Sequence, residues 1–262
     1  MTTATPRTIF ITGASSGFGK ACAERFAEAG DRLILVARRK ERLEELARSL
    51  QAAHGTECYL IAADVRDQQT IIGAIEALPA TWSSIDVLVN NAGLALGRDT
   101  FDEANLNDWN TMIDTNLKGF LYVAQTVAKK MVAAQKGHIL NIGSIAGKEV
   151  YEKGNVYCAT KFGVDALSKA MRIDLLKHGI KVTAIHPGAA ETEFSLVRFK
   201  GDADTAKQVY NGFTPLSAED IADVVETDVT DGATLVYNSE TDKYEVRQLQ
   251  IEDLGAIDGG SF

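Results

Sequence analysis

The chain alternates short, almost wholly apolar runs with longer stretches in which apolar positions return every three or four residues. The short runs lie at residues 8–12 (TIFIT), 32–37 (RLILVA), in ECYLIAADV up to Asp64 and Val65, and at 87–90 (VLVN), 138–142 (HILNI) and 181–186 (KVTAIH). Continuous hydrophobicity over four to eight residues marks strands buried on both faces, as in a parallel sheet. The stretches between them have helical periodicity: KACAERFAEAGDR stopping near Gly30, ERLEELARSLQAA, residues 68–78, a long helix over about 106–134, and a helix running to about His178. Strand and helix in strict alternation predict a single α/β domain, a doubly wound parallel sheet (Rossmann fold) with right-handed crossovers, over residues 1–225.

The pattern loosens after the sixth strand. Residues 192–210 (TEFSLVRFKGDADTAKQVY) contain a Gly-Asp turn and follow a strand end directly, so a lid of loop and short helices is expected over about 189–215. SAEDIADVV at 217–225 reads as a helix with Ser217 as N-cap and Asp220 in its first turn. Beyond it, polar and apolar residues alternate as in a hairpin, with strands near 233–237 and 244–249.

Composition narrows the class. A chain of 262 residues with 45% hydrophobic content fills one such domain, and a net charge of −9 argues against nucleic acid or an anionic membrane as the main partner. Cys22, Cys58 and Cys158 have no metal or disulfide spacing, and His54, His138, His178 and His186 form no ligand pattern, so no metal is expected. The amino terminus lacks the apolar core of a signal peptide and no run of 18 apolar residues occurs; a soluble, cytoplasmic protein is expected.

Doubly wound sheets bind ligands beyond the carboxyl ends of their strands. The unusual residues stand there: Gly13 to Gly19, Arg38, Asp64, Asn91, Ser144 and Pro187. GASSGFG (Gly13, Ser15, Ser16, Gly17, Phe18, Gly19) is a glycine turn opening a helix, whose free N–H groups suit a pyrophosphate. The second strand ends in Ala37, Arg38 and Arg39 with no neighbouring carboxylate in the sequence, which favours the 2′-phosphate of NADP over the 2′-hydroxyl of NAD. The competing reading of ARRKERLEEL is a solvated, charged helix start.

Tyr157 and Lys161 stand four residues apart and share a helix face, with Ser144 upstream. An ammonium about 4 Å from the phenol in a partly screened site is worth about 4 kcal/mol, enough to bring a phenol pKa from about 10 to about 7. The pair alone is common on amphipathic helices; its place after the fifth strand gives it weight.

TGASSGFG at 12–19, NNAG at 90–93, Asn116 in DTNLKG, Ser144, Tyr157-x-x-x-Lys161 and Pro187-Gly188 follow the order and approximate spacing of the short-chain dehydrogenase/reductase family, which the chain resembles from residue 8 to about 225. The resemblance implies an NADP(H)-dependent oxidoreductase in which Tyr157 is the general acid/base and Ser144 hydrogen-bonds the reacting oxygen. Lys161 then binds the nicotinamide ribose, and Asn116 holds a relay water. Asp64 and Val65 flank the adenine, Asn91 lies by the adenosine-side ribose, and residues 187–192, Pro187, Gly188 and Thr192 among them, meet the carboxamide. A homodimer or homotetramer is implied as well.

IDVLVNNAGLALG and TEFSLVRFKGD are similar to the NADP-dependent 3-hydroxy acid dehydrogenases acting on serine and allo-threonine, with Arg198, Lys200 or Lys148 as the cation for a substrate carboxylate. The alternatives are a reductase of other ketones or aldehydes and a non-catalytic NADP(H) sensor. Residues 226–262 do not resemble the family's usual ending.

Overall fold

The computed structural model describes residues 6–212, 214–228, 233–238 and 243–248. Strands β1 (Thr8–Thr12), β2 (Arg32–Ala37), β3 (Cys58–Ala62), β4 (Val87–Asn90), β5 (Gly137–Ile142) and β6 (Ile180–Ile185) form one parallel sheet in the order β3-β2-β1-β4-β5-β6. The connecting helices are α1 (Gly17–Glu28), α2 (Lys40–His54), α3 (Gln68–Glu76), α4 (Leu106–Ile113), α5 (Phe120–Ala134) and α6 (Asn155–Leu175), followed by α7 (Glu193–Arg198), α8 (Ala203–Gln208) and α9 (Ala218–Asp228). This is the doubly wound sheet that the apolar runs predict.

Both faces of the sheet are buried, which is why its strands lack polar alternation. Ile9, Ile11, Leu33 and Leu35 pack on one side with Phe26 of α1, Leu43 of α2 and Val225 of α9. Phe10, Ile34, Leu88 and Ile139 point the other way, onto Ile71 and Ile75 of α3 and Val127 and Met131 of α5. Helix ends follow local chemistry. Asp67 accepts from Thr70 N at 3.1 Å to open α3, and Gly55 at φ +70° closes α2 in the left-handed region. Ser217 Oγ accepts from Asp220 N while Asp220 Oδ2 accepts from Ser217 N, the reciprocal cap anticipated for α9.

Two boundaries differ from the sequence expectation. β3 ends at Ala62, two residues before Asp64, because Ala63 N makes the last bond to β2 (Ala37 O, 3.0 Å) and Asp64 then turns to pair with Arg66. The long helix over 106–134 is broken by a π-helical turn, Asp114–Gly119. The widened turn brings Asn116 against Leu94, and its last residue lies where a Cβ would stand 2.8 Å from Val65 Cγ2, so only glycine fits without movement.

After α9, strands β7 (Ala233–Asn238) and β8 (Lys243–Gln248) pair antiparallel as a separate two-stranded sheet, the hairpin expected there. Leu249, the last residue of the second expected strand, lies outside the described residues, as does the chain beyond it. Among the described residues no helix is long and apolar enough to cross a membrane.

Candidate active site

In this strand order the chain turns away in opposite directions after β1 and β4, which opens a crevice between their carboxyl ends. A cavity of about 480 Å³ occupies it, running from Ser15, Arg38, Arg39 and Asp64 past Asn91 to Ser144, Tyr157 and Lys161, under Thr192, Arg198 and Tyr210. The topology thus gathers residues spread over nearly two hundred positions.

The glycine turn forms one wall. Gly13 and Gly17 hold φ of +68° and +52°, which L side chains rarely adopt. Ser16, the N-cap of α1, is extended and makes no side-chain cap, so its hydroxyl leaves the first N–H groups of the helix unclaimed. A Cβ on Gly19 would stand 2.7 Å from Asn91 Nδ2 and closer still to the Gly13 carbonyl oxygen. Asn91 is fixed in turn by Nδ2 donating to Thr12 O at 2.8 Å. An uncapped helix start behind such a close turn fits a dinucleotide pyrophosphate.

At the end of the cavity beside β2, Arg38 is exposed and Arg39 half-buried. Arg39 donates to Ser15 Oγ and to Ser16 Oγ (2.9 Å). It also meets a carboxylate that its sequence neighbourhood lacks: Glu193, at the start of α7, lies 3.1 Å from Arg39 Nη1 and 2.7 Å from Arg42 Nη1. Glu193 and Arg42 escape a reading of the sequence because nothing local joins α7 to β2. Asp64 and Val65 line the cavity as expected, with Asp64 paired to Arg66.

At the other end Ser144 Oγ accepts from Ala146 N (3.1 Å), and its hydroxyl acts on the Tyr157 phenol to favour its ionised form. Tyr157 and Lys161 lie on one face of α6, but no hydrogen bond joins the ammonium to the phenol. Lys161 Nζ donates to Ile142 O at 2.9 Å and lies 6.0 Å from the Tyr157 ring centroid. The direction of the phenol's shift in these side chains by themselves is upward, opposite to the expected fall to about 7. Burial pushes Tyr157 up to about 12, against the opposing pull of Ser144, and burial brings Lys161 down to about 8.

Asn116 Oδ1 accepts from Leu94 N (2.9 Å), and its Nδ2 donates to Leu94 O and Thr160 Oγ1. Its side chain thus braces the loop after β4. Pro187 is buried at the end of β6, Gly188 lines the cavity, and Thr192 caps α7 while facing Gly17. His186 Nδ1 lies 3.2 Å from Ser144 O, so a residue without an assigned role supports the loop that carries Ser144.

The segment after β6 holds two short helices, α7 and α8, joined through Gly201 at φ +97°. Phe194 packs on the Tyr157 ring at 5.7 Å between centroids. Of the three candidate cations, Lys148 is bound to Asp165 (2.7 Å) and Lys200 to Asp108 (2.8 Å). Arg198 instead donates to Gly97 O and to the Tyr151 hydroxyl, with its guanidinium 5.8 Å from the Tyr157 ring centroid.

The model of the short chain dehydrogenase family matches residues 7–202. The NADP-dependent 3-hydroxy acid dehydrogenase of Escherichia coli (strain K12) is 45% identical over 218 residues, 83% of this chain and 86% of the relative. The sulfoacetaldehyde reductase of Chromohalobacter salexigens is 45% identical over 216 residues, 82% and 85% of the two chains. Among solved structures, the closed form of serine dehydrogenase complexed with NADP+ superposes with a TM-score of 0.78 at 44% identity, covering 84% of this chain and 87% of that one. With the sheet order, the glycine turn and the Ser144, Tyr157 and Lys161 cluster in one crevice, these matches establish that the chain belongs to the short-chain dehydrogenase family.

Proposed function

We propose that this protein is an NADP(H)-dependent oxidoreductase that interconverts a secondary alcohol and a carbonyl on a small 3-hydroxy acid such as serine or allo-threonine. The bound cofactor supplies or accepts the hydride. In reduction Tyr157 Oη gives its proton to the carbonyl oxygen, and Ser144 Oγ–H donates a hydrogen bond to that oxygen as charge develops on it. Lys161, buried and easily deprotonated, passes protons behind the phenol and holds the nicotinamide ribose. Asn116, whose side chain is braced against Leu94, holds the water that links Lys161 to solvent as a proton relay. Gly13 to Gly19 take the pyrophosphate, Arg38 and Arg39 the 2′-phosphate, Asp64 and Val65 the adenine, Asn91 the adjoining ribose, and Pro187, Gly188 and Thr192 the carboxamide.

The observation that carries the substrate class is Arg198. Its two hydrogen-bond acceptors named above are uncharged, it stands beside the phenol, and it rides on the lid, where a planar guanidinium suits a carboxylate. A sulfonate would fit the same group, and the similarity to a sulfoacetaldehyde reductase supports an anionic aldehyde as a second reading.

The test is a panel of 3-hydroxy acids, sulfoacetaldehyde and uncharged secondary alcohols and ketones, followed by NAD(P)H absorbance with each cofactor. Arg198→Met should raise KM for the favoured anion about 100-fold, the cost of a lost charged hydrogen-bond pair, and change KM for an uncharged alcohol less than about threefold. An equal rise for both would remove Arg198 as the anchor. Equal rates with NAD would sink the reading of Arg38 and Arg39, and tight NADPH binding without any turnover would favour the sensor.

Cytoplasmic residence and association into dimers or tetramers belong to the same reading. Leu121 of α5 and Phe162 and Ile173 of α6 are exposed apolar side chains that support a contact between copies. Light scattering at the mass of one chain would remove that part.

A further inference from the structure

α7 is a short helix of 6 residues whose two ends both line the cavity. Its first residue, Glu193, gives one carboxylate oxygen to Arg39 and the other to Arg42, beside Ser15 and Ser16. Its second residue, Phe194, packs on Tyr157, and its last, Arg198, reaches Tyr151 and the Tyr157 ring. A carboxylate shared between two guanidiniums at the mouth of a nucleotide cleft occupies the donors that a phosphate monoester would use, since both are planar or tetrahedral oxyanions read by the same N–H forks. The three side chains are about half exposed, so the contact exchanges with solvent and with any stronger anion. A phosphate with nearly two charges is such an anion.

We propose that Glu193 moderates the hold of this chain on a cofactor 2′-phosphate by competing with that phosphate for Arg39 and Arg42, and that phosphate binding thereby unlatches the helix carrying Phe194 and Arg198 from the adenosine end of the cleft. The inference rests on the reading of the cofactor as NADP(H) and goes beyond it. The carboxylate is a built-in rival of the phosphate. Two consequences separate this role from that of a residue which merely holds Arg39 in place: removing the charge strengthens 2′-phosphate binding, and the lid responds to the phosphate itself, with no nicotinamide needed.

The test uses the full chain and two probes, 2′,5′-ADP and ADP, titrated calorimetrically at low salt into wild type and Glu193→Gln. Glu193→Gln should bind 2′,5′-ADP about fivefold more tightly than wild type, the scale of one exposed ion pair, with ADP changed less than about twofold. In wild type, 2′,5′-ADP should speed amide hydrogen exchange over residues 194–199 and ADP should not. In Glu193→Gln that exchange should be fast before either probe is added. Weaker or unchanged 2′,5′-ADP binding in the variant overturns the competition, as does an α7 whose exchange ignores 2′,5′-ADP. If wild type prefers 2′,5′-ADP and the variant gains nothing, only this inference fails. If both proteins bind the two probes equally, the NADP(H) reading fails and takes the inference with it.

Discussion

Tyr157→Phe should lower turnover by about 10³-fold or more, at the upper range of what a positioned acid or base contributes, while NADPH affinity stays within a few-fold. The phenol lines the cavity together with Ser144, and its O–H is the proton that the proposed reduction hands to a substrate oxygen beside Ser144 Oγ. Phenylalanine keeps the ring that Phe194 packs against, so the lid and the buried cluster around Met112 and Cys158 remain filled. What disappears is one hydroxyl. Alcohol oxidation by wild type should rise with pH, because the group that accepts the proton must be unprotonated, and carbonyl reduction should fall with pH for the converse reason. Burial opposes the phenolate and neutralises Lys161 as pH passes about 8, so those two effects set the profile rather than a simple ammonium–phenolate pair. A phenylalanine variant that keeps a tenth of the rate, or the same pH slope, would refute the assignment.

The parts of this site that are legible in the sequence are those that one strand carries by itself. Runs such as FIT at the end of β1 and LVN at the end of β4 announce strands buried on both faces, and the residues just beyond each are delivered to the crevice by topology alone. Gly13, Asn91 and Ser144 could therefore be named together without knowing a single contact, whereas Tyr157 and Lys161, inside α6, stand out through the family resemblance. What the sequence does not carry is the pairing of groups from distant segments. Glu193 reaches Arg39 across 154 positions, so an arginine pair that looks free of carboxylates in its own neighbourhood acquires one in space. Lys161 is likewise spaced to meet Tyr157, yet its ammonium goes to Ile142 O because a backbone acceptor at the end of β5 lies nearer than the phenol. Spacing decides which face a side chain shares; it does not decide where a flexible four-carbon stem ends. The three cations considered for a substrate anion are similar in sequence and differ only in that Asp165 and Asp108 claim two of them.

Gly19→Ala should weaken NADPH binding about 100-fold, the scale of a misplacement near 1 Å, and lower the melting temperature by about 4–10 °C, as expected for roughly 2–3 kcal/mol of overpacking in a domain of this size. The atoms that an added methyl meets are the Gly13 carbonyl, which is backbone, and Asn91 Nδ2 at 2.7 Å, itself held by Thr12 O. Neither is the loose end of a flexible side chain, so the turn must open. Opening it moves the N–H groups of α1 away from the pyrophosphate and strains the junction of β1 with β4 in the same displacement, which couples stability to binding. Gly73→Ala supplies the contrast: that glycine lies exposed in α3 with nothing within 4 Å of its missing Cβ, so alanine there should leave binding unchanged and stabilise by up to about 1 kcal/mol. If Gly19→Ala melts like wild type but loses cofactor, the close approach serves the ligand alone. If it melts early yet binds NADPH normally, the glycine is there for packing and the turn is not the phosphate cradle.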